Sequence, residues 1–455
     1  MDFESRRQKI LDKMEKNSIA VLYSGIEHHV SADEYDLFTA QANRNFFYLT
    51  GLRRDNMVLL MDKCVEPARI MLFIEEADPL MERWYGRKVT EEEAIEISGI
   101  DDVKFIDEFE STMDMLMTRE DVYTAYFDTY RHQKADLPDY NLVKANEFRQ
   151  DYPSVTLKNL FPLVAEERMQ KDDDEIKLIK DAIELTKQGL NNVMANLKPG
   201  MKEYQAQADF EYVVRRGGAE WTAFPTIAGS GVNGTMLHYD TNRETIEDGT
   251  LLLLDLGARI DGYNSDITRT YPANGKFTER QKAVYDIVLA ANRKIVETAK
   301  PGMTTKELNK VCQDVLSEGL IKLGLIKEPA EISKYYMHGV SHHLGIDVHD
   351  VTVDFNKKLR PGAVISDEPG LYIDEWGIGI RIEDDVLITE DGAVCLSEDI
   401  IRTTDEIEEY MLRYRRKLDT CCQAMRHSVK DNRITAPASK RHFKWAVIIA
   451  GHTAV

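Results

Sequence analysis

Apolar positions along this chain change rhythm several times. Ser5 to Asn17 carries Ile10, Leu11 and Met14 at helical spacing, the signature of one buried helix face. Short apolar runs then predict strands at Ser18–Tyr23, Asn45–Leu49, Met57–Met61, Ala68–Glu75, Val103–Ile106 and Val122–Phe127, with a helix over Thr90–Ile97 between them. Strands and helices mixed in this way predict a mixed α/β domain. From Lys171 to Leu197 a longer helical period takes over, with Ile176, Ile179, Ile183 and Leu190 on one face. A domain boundary is therefore expected between residues 160 and 171, just after Asn159-Leu160-Phe161-Pro162. The resulting division is an N-terminal domain over 1–165, a second α/β domain over 166–413 and a tail over 414–455. The tail ends in the apolar HFKWAVIIAGHTAV and receives no role.

The densest pattern is LLLLDLGARIDGYNSDITRTYP, residues 251–272. Its unbroken apolar run predicts a buried strand, and Asp261-Gly262-Tyr263-Asn264 predicts the turn of a hairpin. Asp255 then closes one strand and Asp266 opens the returning one. Either acid alone is as well explained as a turn former or a solvated side chain. Side by side in a core, two ionised carboxylates cost several kcal/mol unless cations neutralise them.

An internal repeat strengthens that reading. Lys198-Pro199-Gly200-Met201 and Lys300-Pro301-Gly302-Met303 each end one helical stretch and precede another. The second is followed by the capping-box pattern Thr304-x-x-Glu307. Gly249, Asp255 and Gly257 are echoed by Gly362, Glu368 and Gly370, with His238 preceding the first set and His349 the second. Matches in the same order imply two related halves whose acids converge on a shared cleft. Four of the eleven histidines, His338, His342, His343 and His349, fall in MHGVSHHLGIDVHD. That stretch is too compact for every imidazole to reach one ion, so some are expected to bind substrate or move protons. The run Gly377 to Val386 reads as one alternating strand, with Arg381 and Glu383 on one face and Asp384-Asp385 in a solvated turn. His28-His29 reads as a solvated loop pair, and GSGVNG (229–234) is a weak phosphate-loop signal without a clear strand-to-helix setting.

Composition narrows the chemistry. The 455 residues are 43% hydrophobic and 30% charged, with a net charge of −21. That charge disfavours nucleic acid and anionic membrane surfaces as partners, but not divalent cations. No apolar run approaches the ~18 residues of a membrane span, and the charged N-terminus lacks the apolar core of a signal peptide. Five cysteines without a C-x-x-C pair suit a reducing cytoplasm. Asp255, Asp266, Glu368 and Glu383 with one imidazole would balance two divalent cations. Oxygen-rich ligation favours manganese, with cobalt or zinc as alternatives. Two such ions imply hydrolysis.

The stretches FPTIAGSGVNGTMLHY, LLLLDLGARIDGYNSDITRTYP, MHGVSHHLGIDVHD, DEPGLYI and GIRIEDDVLIT, in this order over residues 224–389, resemble the metal-dependent pita-bread peptidases. The similarity is to their aminopeptidase P and prolidase branch, and NRNFFYLTG (43–51) resembles the aminopeptidase P N-terminal domain. The resemblance implies an N-terminal mixed α/β domain followed by a pseudo-twofold catalytic domain. It implies that Asp266, His342, Glu368 and Glu383 hold one metal, and that Asp255 holds a second with Asp266 and Glu383 bridging. It further implies attack by metal-held hydroxide on the peptide carbonyl before a proline, with Glu368 assisting proton movement. His238 and His349 would bind substrate at the scissile bond, His338 would line the proline pocket and Arg381 would order the carboxylates. His343 stands where the family often has an aromatic and is given no catalytic role. Peptides with proline at the second position are the implied substrates, and a homodimer or homotetramer the implied assembly. Rival readings are a prolidase confined to dipeptides, a non-catalytic binding protein on the same fold and a metal-free amidine hydrolase. Ser341 in HGVSH and the YLTG segment lean towards aminopeptidase P.

Overall fold

The computed structural model of the protein describes residues 1–26, 31, 43–119, 121–353 and 357–415. The His28-His29 pair and the tail from residue 416 lie outside the described residues. The strand Ser18–Tyr23 runs through the middle of a six-stranded mixed sheet, antiparallel to Val58–Asp62 and parallel to Thr124–Phe127. Side chains of a strand alternate between faces. Ile19 and Val21 accordingly join one core with Phe109 and Phe148, while Ala20 and Leu22 join another with Ile10, Phe46 and Leu160. Apolar burial on both faces explains why this strand reads as a continuous run.

One local expectation fails here. Asn45–Leu49 is not a strand but part of the helix Arg44–Thr50. Asn43 caps it by accepting the N–H groups of Asn45 and Phe46, and Gly51 ends it at φ 74°. The helix is buried along its whole length from Asn45 to Thr50, so periodicity cannot distinguish it from a core strand. The edge strand Thr156–Asn159 was missed, because a mostly exposed edge carries no apolar run.

In the second domain the long helix Asp173–Asn196 opens on an Asp172/Glu175 capping box and packs on Glu203–Arg216. Glu279–Thr298 packs on Thr305–Lys322 in the same way. The repeated Lys-Pro-Gly-Met turns are built alike. Gly200 and Gly302 sit at φ 87° and 89°, and their N–H groups donate to Ile246 O at 2.8 Å and Leu359 O at 2.9 Å. Each half supplies a three-stranded sheet: Ile227–Ser230, Leu251–Leu256 and Ile267–Pro272 in one, Val364–Asp367, Asp384–Ile388 and Ala393–Cys395 in the other. The fold is thus α/β, with an N-terminal mixed domain and a second domain of two similarly built halves.

Leu251–Leu256 and Ile267–Pro272 form the expected antiparallel pair, with Asp255 opposite Thr268. A smaller hairpin between them turns through Asp261 (φ 46°) and Gly262 (φ 83°), both left-handed, as a two-residue turn requires. The run from Gly377 to Val386 is two strands instead of one. Ile378–Arg381 pairs with Gly370–Ile373, whereas Asp384–Ile388 pairs with Val364–Asp367. At the break, the N–H groups of Ile382 and Glu383 donate to Pro369 O (3.2 Å) and Thr268 O (3.0 Å). Asp384 and Asp385 do not form a solvated turn; both are fully buried. Asp384 is held by Arg269 Nη2 (2.7 Å), Arg402 Nη1 (2.7 Å) and Ser397 Oγ (2.6 Å). Burial of this acid depends on arginines far away in sequence.

Candidate metal centre

Asp255 sits at the end of the central strand, where its Oδ2 accepts from Arg381 Nη2 while its buried Oδ1 has no hydrogen-bond partner. Asp266, one residue ahead of the returning strand, is steered by its N–H, which donates to Asp385 Oδ2 at 3.2 Å. Glu383 enters from the second half through the strand break, with Thr268 Oγ1 donating to its Oε2 at 2.6 Å. His342 Nε2 stands 3.4 Å from Asp266 Oδ2 and 3.5 Å from Glu368 Oε1. One ligand atom each of Asp266, His342 and Glu383 lies within 4.8 Å of the others.

The electrostatics describe a crowd of like charges. Burial pushes Asp255 up to about 6, with Arg381 opposing and Asp266 adding to the rise. Burial likewise pushes Glu368 up to about 7, against His342 and Arg381 and with Asp266 and Asp255. Glu383 is driven well above the carboxylate range by burial, Asp266, Glu368 and Asp255. Burial alone would lower His342, but its bond to Asp266 and the charge of Glu368 hold it up at about 9. Carboxylates forced together, with an orphaned oxygen on Asp255, fit divalent cations.

The remaining predicted residues surround this cage. The His349 ring stacks on His342 with centroids 4.0 Å apart. His338 Nε2 lies 2.9 Å from Tyr372 Oη, and its Nδ1 lies 3.7 Å from Glu368 Oε2. His238 is exposed on the loop after Gly231–Thr235, and burial first, with His238 nearby as a lesser cause, pushes His338 and His349 down to about 4. Arg381 does not pair with Glu383. It spans Asp255, Thr268 Oγ1 (3.0 Å) and Tyr372 Oη (2.9 Å). His343 is buried near Lys171 and Asp350.

Two residues escaped the sequence reading. Tyr372 links Arg381 to His338, and the alternation of Gly370-Leu371-Tyr372-Ile373 would have placed it opposite Leu371 and Ile373. Glu203 is buried and gathers the loop that carries His238. It accepts from Ser230 N (2.9 Å), Ser230 Oγ (2.8 Å), Asn233 Nδ2 (3.1 Å), Tyr239 Oη (2.8 Å) and Glu244 N (2.9 Å). No local pattern marks it. GSGVNG is a packing device instead of a phosphate loop: a Cβ on Gly379 would strike Gly234 O, and one on Gly229 would come within 2.8 Å of Asn233 O.

Burial opposes ionisation of Glu203, but the donors from Asn233, Ser230 and Glu244 outweigh it and hold the acid below the usual glutamate range. A depressed folded-state value stabilises above the unfolded value and is lost as pH falls through the folded one. Glu203→Gln should therefore melt lower than the wild type near neutrality, by on the order of 2 kcal/mol. Melts from pH 7 down to pH 3 should show that gap closing, and a gap independent of pH would exclude this role for the ionised carboxylate.

Buried like-charged acids around an imidazole, with further histidines along the cleft, define the centre of a metal-dependent hydrolase. The model of Metallopeptidase family M24 matches residues 177–390, and that of the aminopeptidase P N-terminal domain matches residues 3–126. The Xaa-Pro aminopeptidase of Escherichia coli (strain K12) is 34% identical over 441 residues, covering 91% of this chain and 98% of that protein. The chain belongs to metallopeptidase family M24, in its aminopeptidase P branch. A solved Bacillus anthracis structure, provisionally described as an aminopeptidase P, superposes with a TM-score of 0.88 at 44% identity over 90% of this chain and 98% of its own. Escherichia coli aminopeptidase P with the inhibitor Pro-Leu gives 0.83 at 33% identity over 91% and 98%. Among the described residues no helix is long and apolar enough to cross a membrane.

Proposed function

We propose that the protein is an Xaa-Pro aminopeptidase, releasing the first residue of a peptide whose second residue is proline. The observation that carries this is the likeness to Xaa-Pro aminopeptidases along nearly the whole chain, together with the carboxylate–histidine cage at its centre. Asp266, His342, Glu368 and Glu383 would hold one divalent cation and Asp255 a second, with Asp266 and Glu383 shared. An oxygen-rich set with one imidazole suits manganese, with cobalt or zinc as substitutes. Bound there, such cations supply Lewis acidity and make hydroxide available near neutral pH.

The chain's own groups do the rest. The peptide amino group would rest near Asp255. His238 and His349 would steady the carbonyl oxygen or the proline nitrogen, and His338, held by Tyr372, would line the proline pocket. Glu368 would carry a proton on its carboxyl to the departing nitrogen. Proline lacks an N–H, so a protease that pairs with substrate backbone loses a contact at such a bond. Residues 1–165 and 166–413 are the units we infer, in a pita-bread arrangement, assembled as a homodimer or homotetramer. Cys312 and Cys395 are free thiols, which suits a cytoplasmic location.

Pro-Leu is what remains after the first residue leaves an Xaa-Pro-Leu peptide, so its place as inhibitor of the Escherichia coli relative favours longer substrates over dipeptides. The manganese-loaded protein is expected to cleave Ala-Pro-Ala at least about tenfold faster than Ala-Pro, a gap of about 1.4 kcal/mol in the barrier. Preference for Ala-Pro would favour a dipeptidase.

A further inference from the structure

Among the described residues the ring of the cleft histidine His349 has no hydrogen bond and stacks on that of His342. Its backbone belongs to a tight loop closed by a bridge between His343 and Asp350, whose N–H donates to His343 O at 2.7 Å. His342 and His349 lie at the two ends of that loop. Asp350, next to His349, is buried. Its Oδ1 accepts from Arg168 Nη2 at 2.6 Å and its Oδ2 from Lys171 Nζ at 2.8 Å. All three side chains are at most 2% exposed. The loop winds so closely over this ion cluster that a Cβ on Gly345 would collide with Asp350 Oδ2.

Both cations come from the segment joining the two domains, and that segment is itself gripped by the N-terminal domain. Arg168 Nη1 donates to Asn45 Oδ1 at 2.8 Å, and its Nη2 also reaches Asp347 Oδ2 at 2.7 Å. Arg44 Nε donates to Asp347 Oδ1 at 3.1 Å. The helix Arg44–Thr50 thus touches the histidine loop directly and through Arg168. We propose that Arg168 and Lys171, braced by Asn45 of the N-terminal domain, are positioning residues that place His349 in the cleft through their hold on Asp350. A buried aspartate with two countercharges defines one geometry, because leaving it is opposed by an unpaired buried charge. The N-terminal domain then has a part in substrate recognition without contributing a catalytic residue.

This inference rests on the proposed peptidase reading, and the test separates the two. Arg168→Met and Asn45→Ala are made in the wild type and in His349→Ala, and kcat/KM is measured on Ala-Pro-Ala with manganese. We expect Arg168→Met to lose about thirtyfold, as a displaced cleft group does, and Asn45→Ala about threefold. In the His349→Ala background both losses should shrink to within about twofold, since residues acting through one group are not additive. Arg168→Lys, which keeps the charge, should recover part of the loss. Independently of activity, imidazole NMR should show the His349 ring signals, assigned by their absence in His349→Ala, shifting in both variants. Asn45→Ala removes no buried charge and serves if Arg168→Met does not fold. Equal losses in both backgrounds, full activity of the folded variants, or unmoved His349 signals would overturn the positioning role. Signals that shift as expected in the variants, with a wild type that cleaves no Xaa-Pro peptide, would instead overturn the peptidase reading alone.

Discussion

Replacing Glu368 by glutamine is expected to lower kcat/KM on Ala-Pro-Ala by about a thousandfold, within the ~10²–10⁴ range of proton-transfer catalysts, while the melting temperature stays close to that of the wild type. Glutamine keeps the size and one acceptor oxygen but cannot take or release a proton. The position is suited to that task. Burial pushes the carboxyl up to about 7, against the charges of His342 and Arg381. Its two oxygens face different partners: Oε1 faces His342 and Ser366 Oγ (3.3 Å), and Oε2 faces His338. Full activity in the folded variant would remove Glu368 from the mechanism.

Stripping divalent cations with a chelator should abolish hydrolysis, and added manganese should restore it, with two ions per chain by calorimetric titration. The same treatment should change stability. Asp255, Asp266 and Glu368 each raise the cost of ionising another member of the set, and cations relieve that repulsion only in the folded state. Free manganese at a hundred times its dissociation constant should stabilise the fold by about 2.7 kcal/mol, read as a higher melting temperature. Hydrolysis that survives complete chelation would return the metal-free readings to contention.

How much of this was visible in the sequence depended on the range of the interactions. The Asp255–Asp266 hairpin was legible because an apolar run, a turn pair and both acids fall within one short segment. The two halves were legible because Gly200 and Gly302 must both adopt positive φ at a helix end. Arg44–Thr50 was misread because burial all round erases helical periodicity. Asp384 was misread because Arg269 and Arg402 are brought to it by sheet pairing and chain folding that no local pattern encodes. Arg381 was expected to face Glu383 as a strand neighbour, yet the strand ends between them, and its partner Asp255 comes from the other half. Glu203 was missed because it matters only through residues distant in the chain, and Tyr372 because alternation gives its face but not its partners Arg381 and His338.

The pairing of Arg381 with Asp255 bears on how the molecule is made. A guanidinium cannot give up its proton in a protein, so one acid of the set is compensated from the moment the two halves meet. The imidazolium of His342, between Asp266 and Glu368, compensates part of the remainder. Unlike small domains that stay unfolded until metal arrives, this polypeptide carries counter-charge of its own beside the acids. That counter-charge predicts a metal-free chain that folds and takes its cations afterwards, read as a cooperative melt of the chelated protein.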